Sequence, residues 1–121
     1  MSELQGVGWI KFHEGKLEEF EHLQVQCAEI VRAKDTGTLQ YEIYLSDDQS
    51  KRIVLERYRD SRALIEHSTH IGELGPAILA TGLATSALLS EPSADLGAKL
   101  LGGPARPLYA LRVNVTQAMP K

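Results

Sequence analysis

Hydrophobic and polar residues alternate along three stretches in the first half of the chain, and a helical pattern separates the first stretch from the second. The three stretches, each with the two-residue period of a β-strand, cover residues 7–13, 39–45 and 51–58. From Leu17 to Val31, apolar residues recur every three or four positions, which predicts an amphipathic helix. Acidic residues at its start and Arg32 and Lys34 at its end suit the helix dipole. Gly37 is predicted to end the helix in the left-handed conformation.

A turn and a second helix follow in the second half of the chain. Polar residues at 46–50 predict a hairpin turn, and Asp60 is a suitable N-cap for the next helix. Gly75 and Pro76 should break or kink that helix, because proline lacks a backbone donor. Its predicted inward side consists of Leu64, His67, Ile71, Leu74 and Ile78. The remaining predicted elements are a strand over 83–89, a helix over 92–101 between a Ser93 cap and a Gly102–Gly103 stop, and a strand over 108–115.

The order strand–helix–strand occurs twice, followed by an additional helix and strand. Two such split βαβ units in succession predict an α+β, ferredoxin-like fold, with helices on one face of an antiparallel sheet. A length of 121 residues without a linker-like segment predicts one domain, residues 1–121. The strands carry apolar residues on both faces, for example Trp9 on one and Ile10 on the other. We therefore expect a homodimer in which two sheets meet as a dimeric α/β barrel.

The composition is that of a soluble globular protein, with 43% hydrophobic and 24% charged residues. A net charge of −3 without a basic cluster argues against binding to nucleic acid or to an anionic membrane. The sequence shows no signal-peptide pattern at its start and no apolar run of the roughly 20 residues that a membrane span requires. A single cysteine excludes an internal disulfide, so the expected location is the cytoplasm.

Four segments, in order and suitably spaced, resemble the antibiotic biosynthesis monooxygenase family of dimeric α/β barrels. They are EGKLEEF at 14–20, TGTLQYE at 36–42, VLERYRD at 54–60, and Ala63–Leu64 with His67 on the following helix. The resemblance covers about residues 6–80 and implies the ferredoxin-like dimer. Activities in this family include cofactor-independent oxygenation of aromatic polyketides or quinols, and haem degradation. Because one fold supports several chemistries, the resemblance alone does not fix the activity.

The family's functional residues match this chain only in part. Haem-degrading members resemble one another in an Asn on the first strand and a Trp ending the third, whereas this first strand has no Asn and Tyr58 stands in place of the Trp. The Asn, Trp and Tyr set of the polyketide oxygenases is also missing. What matches is a quinol-oxygenase-like pattern of Glu56, Tyr58 and His67. The chain has no dinucleotide or nucleotide motif, so we expect no cofactor and a substrate that supplies its own electrons.

His67 is the predicted catalytic residue. A neutral imidazole beside a bound phenol can accept its proton and so generate the phenolate that reacts with dioxygen. Four residues are predicted to bind a small aromatic substrate: Tyr58 and Trp9 as an aromatic wall, with Glu56 and His70 beside it. These residues also have purely structural interpretations. His67 could be hydrogen-bonded in the core, and Tyr58 and Trp9 could pack across a dimer interface. Glu56 could form an ion pair with an arginine.

Metal binding and a reactive cysteine are two further possibilities to consider. His67 and His70 form a His-x-x-His pair, but no spacing identifies the further ligands that a metal needs, and we predict no metal site. Cys27 lies on the core side of the first helix and is predicted to be inert. The leading function is a cofactor-independent monooxygenase acting on a phenolic, quinol or polycyclic aromatic. The alternative is a noncatalytic homodimer that binds a small hydrophobic ligand or contributes to a stress response, which a pocket filled by its own side chains would favour.

Overall fold

Most of the predicted elements form one sheet with helices packed against it. The computed structural model describes residues 3–89 and 91–100. The elements in these ranges are β1 (Leu4–Phe12), α1 (Leu17–Lys34), β2 (Thr38–Leu45), β3 (Lys51–Tyr58), α2 (Ser61–Ile71), α3 (Leu74–Leu79), β4 (Gly82–Leu88) and α4 (Ala94–Leu100). The predicted Gly102–Gly103 stop and the predicted strand over 108–115 lie outside the described residues.

The four strands pair antiparallel in the order β2-β3-β1-β4. This order, with both crossover helices on one face, confirms the predicted α+β, ferredoxin-like class. In the centre of the sheet, Gly8 of β1 pairs with Val54 of β3 on one side and Ser86 of β4 on the other. β1 begins three residues earlier than the alternation predicted, because Leu4 pairs with Tyr58 and is buried in the core.

The helix-covered face of the sheet carries the core in two clusters. One cluster lies under α1 and α3 and contains Ile10, Phe20, Cys27 and Ile78. The other lies under α2 and α4 and contains Leu4, Tyr58, Ala63, Leu64, Leu88 and Leu96. Burial of these apolar side chains is the main force that holds the helices on the sheet.

The opposite face of the sheet keeps large apolar side chains in contact with solvent. Trp9, Ile53 and Tyr44 occupy directly paired positions on β1, β3 and β2 and are 42%, 38% and 50% exposed. Leu83, on β4 opposite Lys11, is 67% exposed. We call this surface the open face. In the described part of the chain, no helix is both long and apolar enough to cross a membrane.

The ends of α2 confirm one prediction and correct another. The Asp60 carboxylate accepts a hydrogen bond from the Ala63 backbone N–H at 2.9 Å and so caps the helix, as predicted. The break or kink predicted at Gly75–Pro76 is wrong in its position, since the interruption lies at residues 72–73. The helix ends at Gly72, which has φ of +50°, and Pro76 lies in the first turn of α3, where the missing N–H has no helical partner in any case.

Gly37 does not take the left-handed conformation predicted for it. The glycines with positive φ among the described residues are Gly15 and Gly72, and α1 ends instead at Asp35 in extended backbone. Gly37 is needed for space: a Cβ there would lie 2.5 Å from the Ala63 Cβ. The loop between α1 and β2 therefore packs directly on α2. The predicted Ser93 cap is confirmed, since its hydroxyl accepts from the Leu96 N–H at 3.2 Å.

Candidate functional site

A buried carboxylate, Asp35, joins two histidines at the point where the loop after α1 meets α2. Its Oδ2 lies 2.7 Å from His67 Nδ1, and its Oδ1 lies 2.7 Å from His70 Nδ1. The Thr38 hydroxyl donates a third hydrogen bond to Oδ2, also at 2.7 Å. The Asp35 side chain is 3% exposed, so these three groups replace most of its contact with water.

Helix geometry brings the two histidines to one carboxylate. His67 and His70 are three residues apart on α2 and therefore lie on the same side of the helix. Asp35 is the C-cap of α1, where its extended backbone turns the chain toward β2 and across α2. The close packing at Gly37 holds this loop near the helix.

The charge on Asp35 determines how His67 is oriented. Burial alone would raise the pKa of Asp35, but hydrogen bonds from His70, Thr38 and His67 outweigh burial and hold this pKa below its usual 3.8. An ionised carboxylate only accepts hydrogen bonds, so Nδ1 of His67 carries a proton and donates it. In the neutral ring, Nε2 then has the free lone pair and is the position that can take a proton.

Nε2 of His67 faces a second acid, Glu56 on β3. The distance from Nε2 to Glu56 Oε1 is 4.0 Å, and the Tyr58 hydroxyl donates a 2.6 Å hydrogen bond to the same oxygen. Burial, followed by the neighbouring Glu56 charge, raises the pKa of Tyr58, so its hydroxyl keeps its proton. The rings of Tyr58 and Tyr41 lie on the His67 ring with centroids 5.3 and 5.5 Å away.

The Tyr41 hydroxyl also contacts two polar side chains of α1. The Gln24 side-chain amide donates to the Tyr41 hydroxyl at 3.0 Å, and Cys27 Sγ lies 3.3 Å from the same hydroxyl. Burial is the main cause that raises the pKa of Tyr41 and of Cys27. Both groups therefore stay neutral near pH 7, and Cys27 has no thiolate character.

The structure brings four of the five predicted site residues together. His67, His70, Glu56 and Tyr58 lie on the helix side of the sheet, linked by the contacts above. Trp9 lies on the open face, paired with Ile53, so it cannot form one aromatic wall with Tyr58. The second ring beside His67 belongs to Tyr41.

Asp35 was missed by sequence reasoning as a site residue. It stands directly after a helix, where we expected only a helix-ending role. The signal that was present is the His67–His70 spacing, since side chains three residues apart lie on one side of a helix and can reach the same partner. The part of the chain that the structure describes contains no group of three or more His, Cys, Asp or Glu side chains arranged to hold a metal ion.

Comparison with solved structures finds the same fold in several proteins. Rv0793 from Mycobacterium tuberculosis aligns with a TM-score of 0.65 and 21% identity, over 76% of this chain and 97% of that one. MupZ from Pseudomonas fluorescens aligns with a TM-score of 0.73 and 18% identity, over 95% and 89%. SnoaB from Streptomyces nogalater, a cofactor-independent oxygenase, aligns with a TM-score of 0.63 and 16% identity, over 77% and 96%. At these identities the likeness shows the fold alone.

Comparison at the level of sequence gives a more specific result. No curated protein matches the chain significantly. The family model for antibiotic biosynthesis monooxygenases matches residues 7–71, which is more than half of the chain. The match runs from β1 to the end of α2 and so includes Glu56, Tyr58 and His67 as well as Asp35. This chain therefore belongs to the antibiotic biosynthesis monooxygenase family.

Proposed function

We propose that this protein is a cofactor-independent monooxygenase that acts on a phenolic or quinol-type aromatic, with His67 as the base. The observation that carries the proposal is the hydrogen bond between Asp35 and His67 Nδ1, which leaves Nε2 as the proton acceptor. A carboxylate that fixes the tautomer of a catalytic histidine in this way also stabilises the imidazolium formed when the ring takes a proton. Family membership and the description of SnoaB as a cofactor-independent oxygenase support the reaction class.

The proposed reaction starts with transfer of the phenol proton to His67 Nε2. The resulting phenolate is electron-rich and supplies the electrons that reduce dioxygen. One oxygen atom bonds to a ring carbon, and the other leaves as water with the hydrogens removed from the substrate, so a phenol and dioxygen give a quinone and water. Glu56, 4.0 Å from Nε2, would stabilise the protonated ring and accept a hydrogen bond from the substrate.

Oxygen uptake with a panel of reduced naphthoquinols and hydroxyanthrones tests this function. We expect consumption above the rate of autoxidation, and a decrease in kcat of about 10²–10⁴-fold in His67→Ala. His22→Ala is the matched control, because His22 is an exposed histidine of α1 bonded to Gln26. Unchanged activity in His67→Ala would remove the role of this residue, and no uptake with any compound would count against the reaction class.

A noncatalytic ligand-binding protein is the second function, and one observation favours it. His67 and Tyr58 are 3% and 1% exposed, so the protein's own side chains fill much of the space around the Nε2 atom. A protein that binds aromatics but never consumes oxygen would fit this function. One experiment separates the two functions. Binding of the aromatic is measured at equilibrium under argon, and oxygen consumption is then measured after air is admitted. Binding without oxygen consumption indicates the noncatalytic function.

We also propose that the protein is a homodimer joined through the open face. Exposed Trp9, Ile53, Tyr44 and Leu83 form a large apolar surface, which soluble proteins rarely leave in water. A second copy of the same surface would cover it by two-fold symmetry. The active centre proposed here lies on the other side of the sheet, so each subunit would hold its own.

A further inference from the structure

The His67 ring lies between two carboxylates that face different nitrogens. Nδ1 is 2.7 Å from Asp35 Oδ2, and Nε2 is 4.0 Å from Glu56 Oε1. A neutral imidazole carries one proton, so the two carboxylates favour opposite tautomers of the ring. Only the tautomer with its proton on Nδ1 leaves Nε2 free to accept a proton from a phenol. The group that keeps Asp35 in place as an acceptor therefore decides whether His67 can act as a base.

His70 holds the oxygen of Asp35 that His67 does not use. Its Nδ1 lies 2.7 Å from Oδ1, whereas the Thr38 hydroxyl and His67 both bond to Oδ2. The Asp35 side chain is 3% exposed, so little water can reach Oδ1 in place of the imidazole. A buried acceptor left without a donor costs about 1–3 kcal/mol, and more if it is charged. Without the donor at position 70, we expect the carboxylate to turn and its bond to His67 to weaken.

The same hydrogen bond supports the charge of Asp35. Burial raises the pKa of this carboxyl, and hydrogen bonds from His70, Thr38 and His67 hold the pKa below its usual 3.8. Among these hydrogen bonds, the one from His70 has the largest effect. The negative charge that attracts the Nδ1 proton of His67 therefore depends mainly on its neighbour three residues along the helix.

His70 approaches Asp35 from the solvent side. Its side chain is 23% exposed, against 4% for His67. Its Nε2 is 3.9 Å from Glu66 Oε1, beyond hydrogen-bond distance, and that carboxylate accepts from the Thr36 hydroxyl at 3.2 Å. His70 is thus the outer histidine of the pair, and the contact that links it to the inner one is the Asp35 carboxylate.

We propose that His70 is a positioning residue. Its Nδ1–H fixes Asp35 so that Oδ2 keeps His67 in the tautomer with a free Nε2. This inference rests on the proposed function, and it assigns His70 a different role from the substrate contact predicted from the sequence. The role needs a donor at the Nδ1 position and neither the second nitrogen nor a charge. Asparagine places an amide N–H at nearly the same point, while leucine has a similar shape without a donor.

A comparison of His70→Leu with His70→Asn tests the proposal. The tautomer of His67 is read from the ¹⁵N NMR shifts of its two ring nitrogens at alkaline pH, where neutral rings are observed. In His70→Leu, the Nδ1 signal should move toward that of an unprotonated nitrogen. The kcat for an accepted quinol should fall about 10- to 100-fold, with KM changed less than about twofold. His70→Asn should keep the wild-type tautomer and most of kcat.

Thr36→Val is the matched control. Thr36 follows Asp35 in the same loop, but its hydroxyl donates to the exposed Glu66. This variant should keep both the tautomer and kcat. An unchanged tautomer in His70→Leu, or equal losses in His70→Leu and His70→Asn, would overturn the proposal. A raised KM with unchanged kcat in His70→Leu would overturn it as well, because that result indicates direct contact with the substrate.

The wild-type protein provides the decisive measurement if His70→Leu does not fold. The ¹⁵N signals of the two histidines, assigned by their loss in His70→Asn and His67→Ala, should show a proton on Nδ1 of both neutral rings. A neutral His70 ring without a proton on Nδ1 would overturn the proposal. A tautomer change in His70→Leu, in a protein that consumes no oxygen with any quinol, would uphold the positioning role while refuting the oxygenase function. The two failures are therefore distinguishable.

Discussion

Asp35 and His67 are joined by a 2.7 Å hydrogen bond across 32 residues of sequence, and the two side chains are 3% and 4% exposed. The bond connects the end of α1 to the middle of α2, so it positions the imidazole and also ties two helices together. Because the same carboxylate holds His70, its removal would release both histidines. The contact therefore has consequences for stability that can be measured separately from any activity.

Asp35→Asn should lower the free energy of unfolding by about 2–3 kcal/mol at pH 7, since it replaces a charged acceptor of three hydrogen bonds. The folded-state pKa of Asp35 lies below the usual 3.8, so its stabilising effect is complete above that pH and disappears as pH falls through the lower value. Urea unfolding between pH 7 and pH 3 measures the difference in free energy of unfolding between the wild-type protein and Asp35→Asn, and this difference should become smaller as the pH falls.

Asp47→Asn, in the exposed hairpin turn, is the control and should change stability little. A deficit in Asp35→Asn that stays constant down to pH 3, or no deficit at pH 7, would contradict the ionised bridge.

Gly37→Ala should destabilise the protein by about 1–3 kcal/mol, because the new Cβ would lie 2.5 Å from the Ala63 Cβ in a tightly packed contact. Gly15→Ala gives a comparison of a different kind, since nothing lies within 4 Å there and the strain comes from φ of +78° alone.

The steric origin is checked by a double variant. Ala63→Gly removes the opposing methyl group and, by itself, should cost about 1 kcal/mol as a glycine in a helix. If the two positions clash, the double variant should lose less stability than the sum of the two single variants. Strictly additive losses in thermal unfolding would show that the two positions do not clash.

The periodicity of the sequence was sufficient for the type and order of the described elements, because amphipathic patterns follow from which side of each element is buried. It did not fix the start of β1 or the boundary between α2 and α3. The periodicity also placed His67 and His70 on one side of α2. The role of Asp35 depends on how the α1–β2 loop lies on α2, and no local pattern encodes that contact. The error over Trp9 and Tyr58 has a similar cause: strand register decides which face each occupies, and here Trp9 pairs with Ile53 while Tyr58 pairs with Leu4.

Trp9→Glu should convert the proposed homodimer into a monomer, since it places a charge in the centre of the apolar open face. Sedimentation equilibrium at micromolar concentration measures the mass of each species. Val25→Glu is the matched control on α1, away from the sheet and 60% exposed, and should remain dimeric. A wild-type protein that sediments as a monomer would refute assembly through this face.

The hydrogen bond between Tyr58 and Glu56 should have a measurable coupling energy. The hydroxyl of Tyr58 donates to Glu56 Oε1 at 2.6 Å, and both groups lie beside His67. In a double-mutant cycle of Tyr58→Phe and Glu56→Gln, we expect a coupling of about 1–2 kcal/mol in the free energy of unfolding. Tyr44→Phe with Glu42→Gln provides an exposed pair with a 3.1 Å bond, whose coupling should be close to zero. A buried pair that couples no more strongly than this exposed one would mean that Tyr58 does not hold Glu56 in position, and the orientation of the carboxylate toward His67 would need another cause.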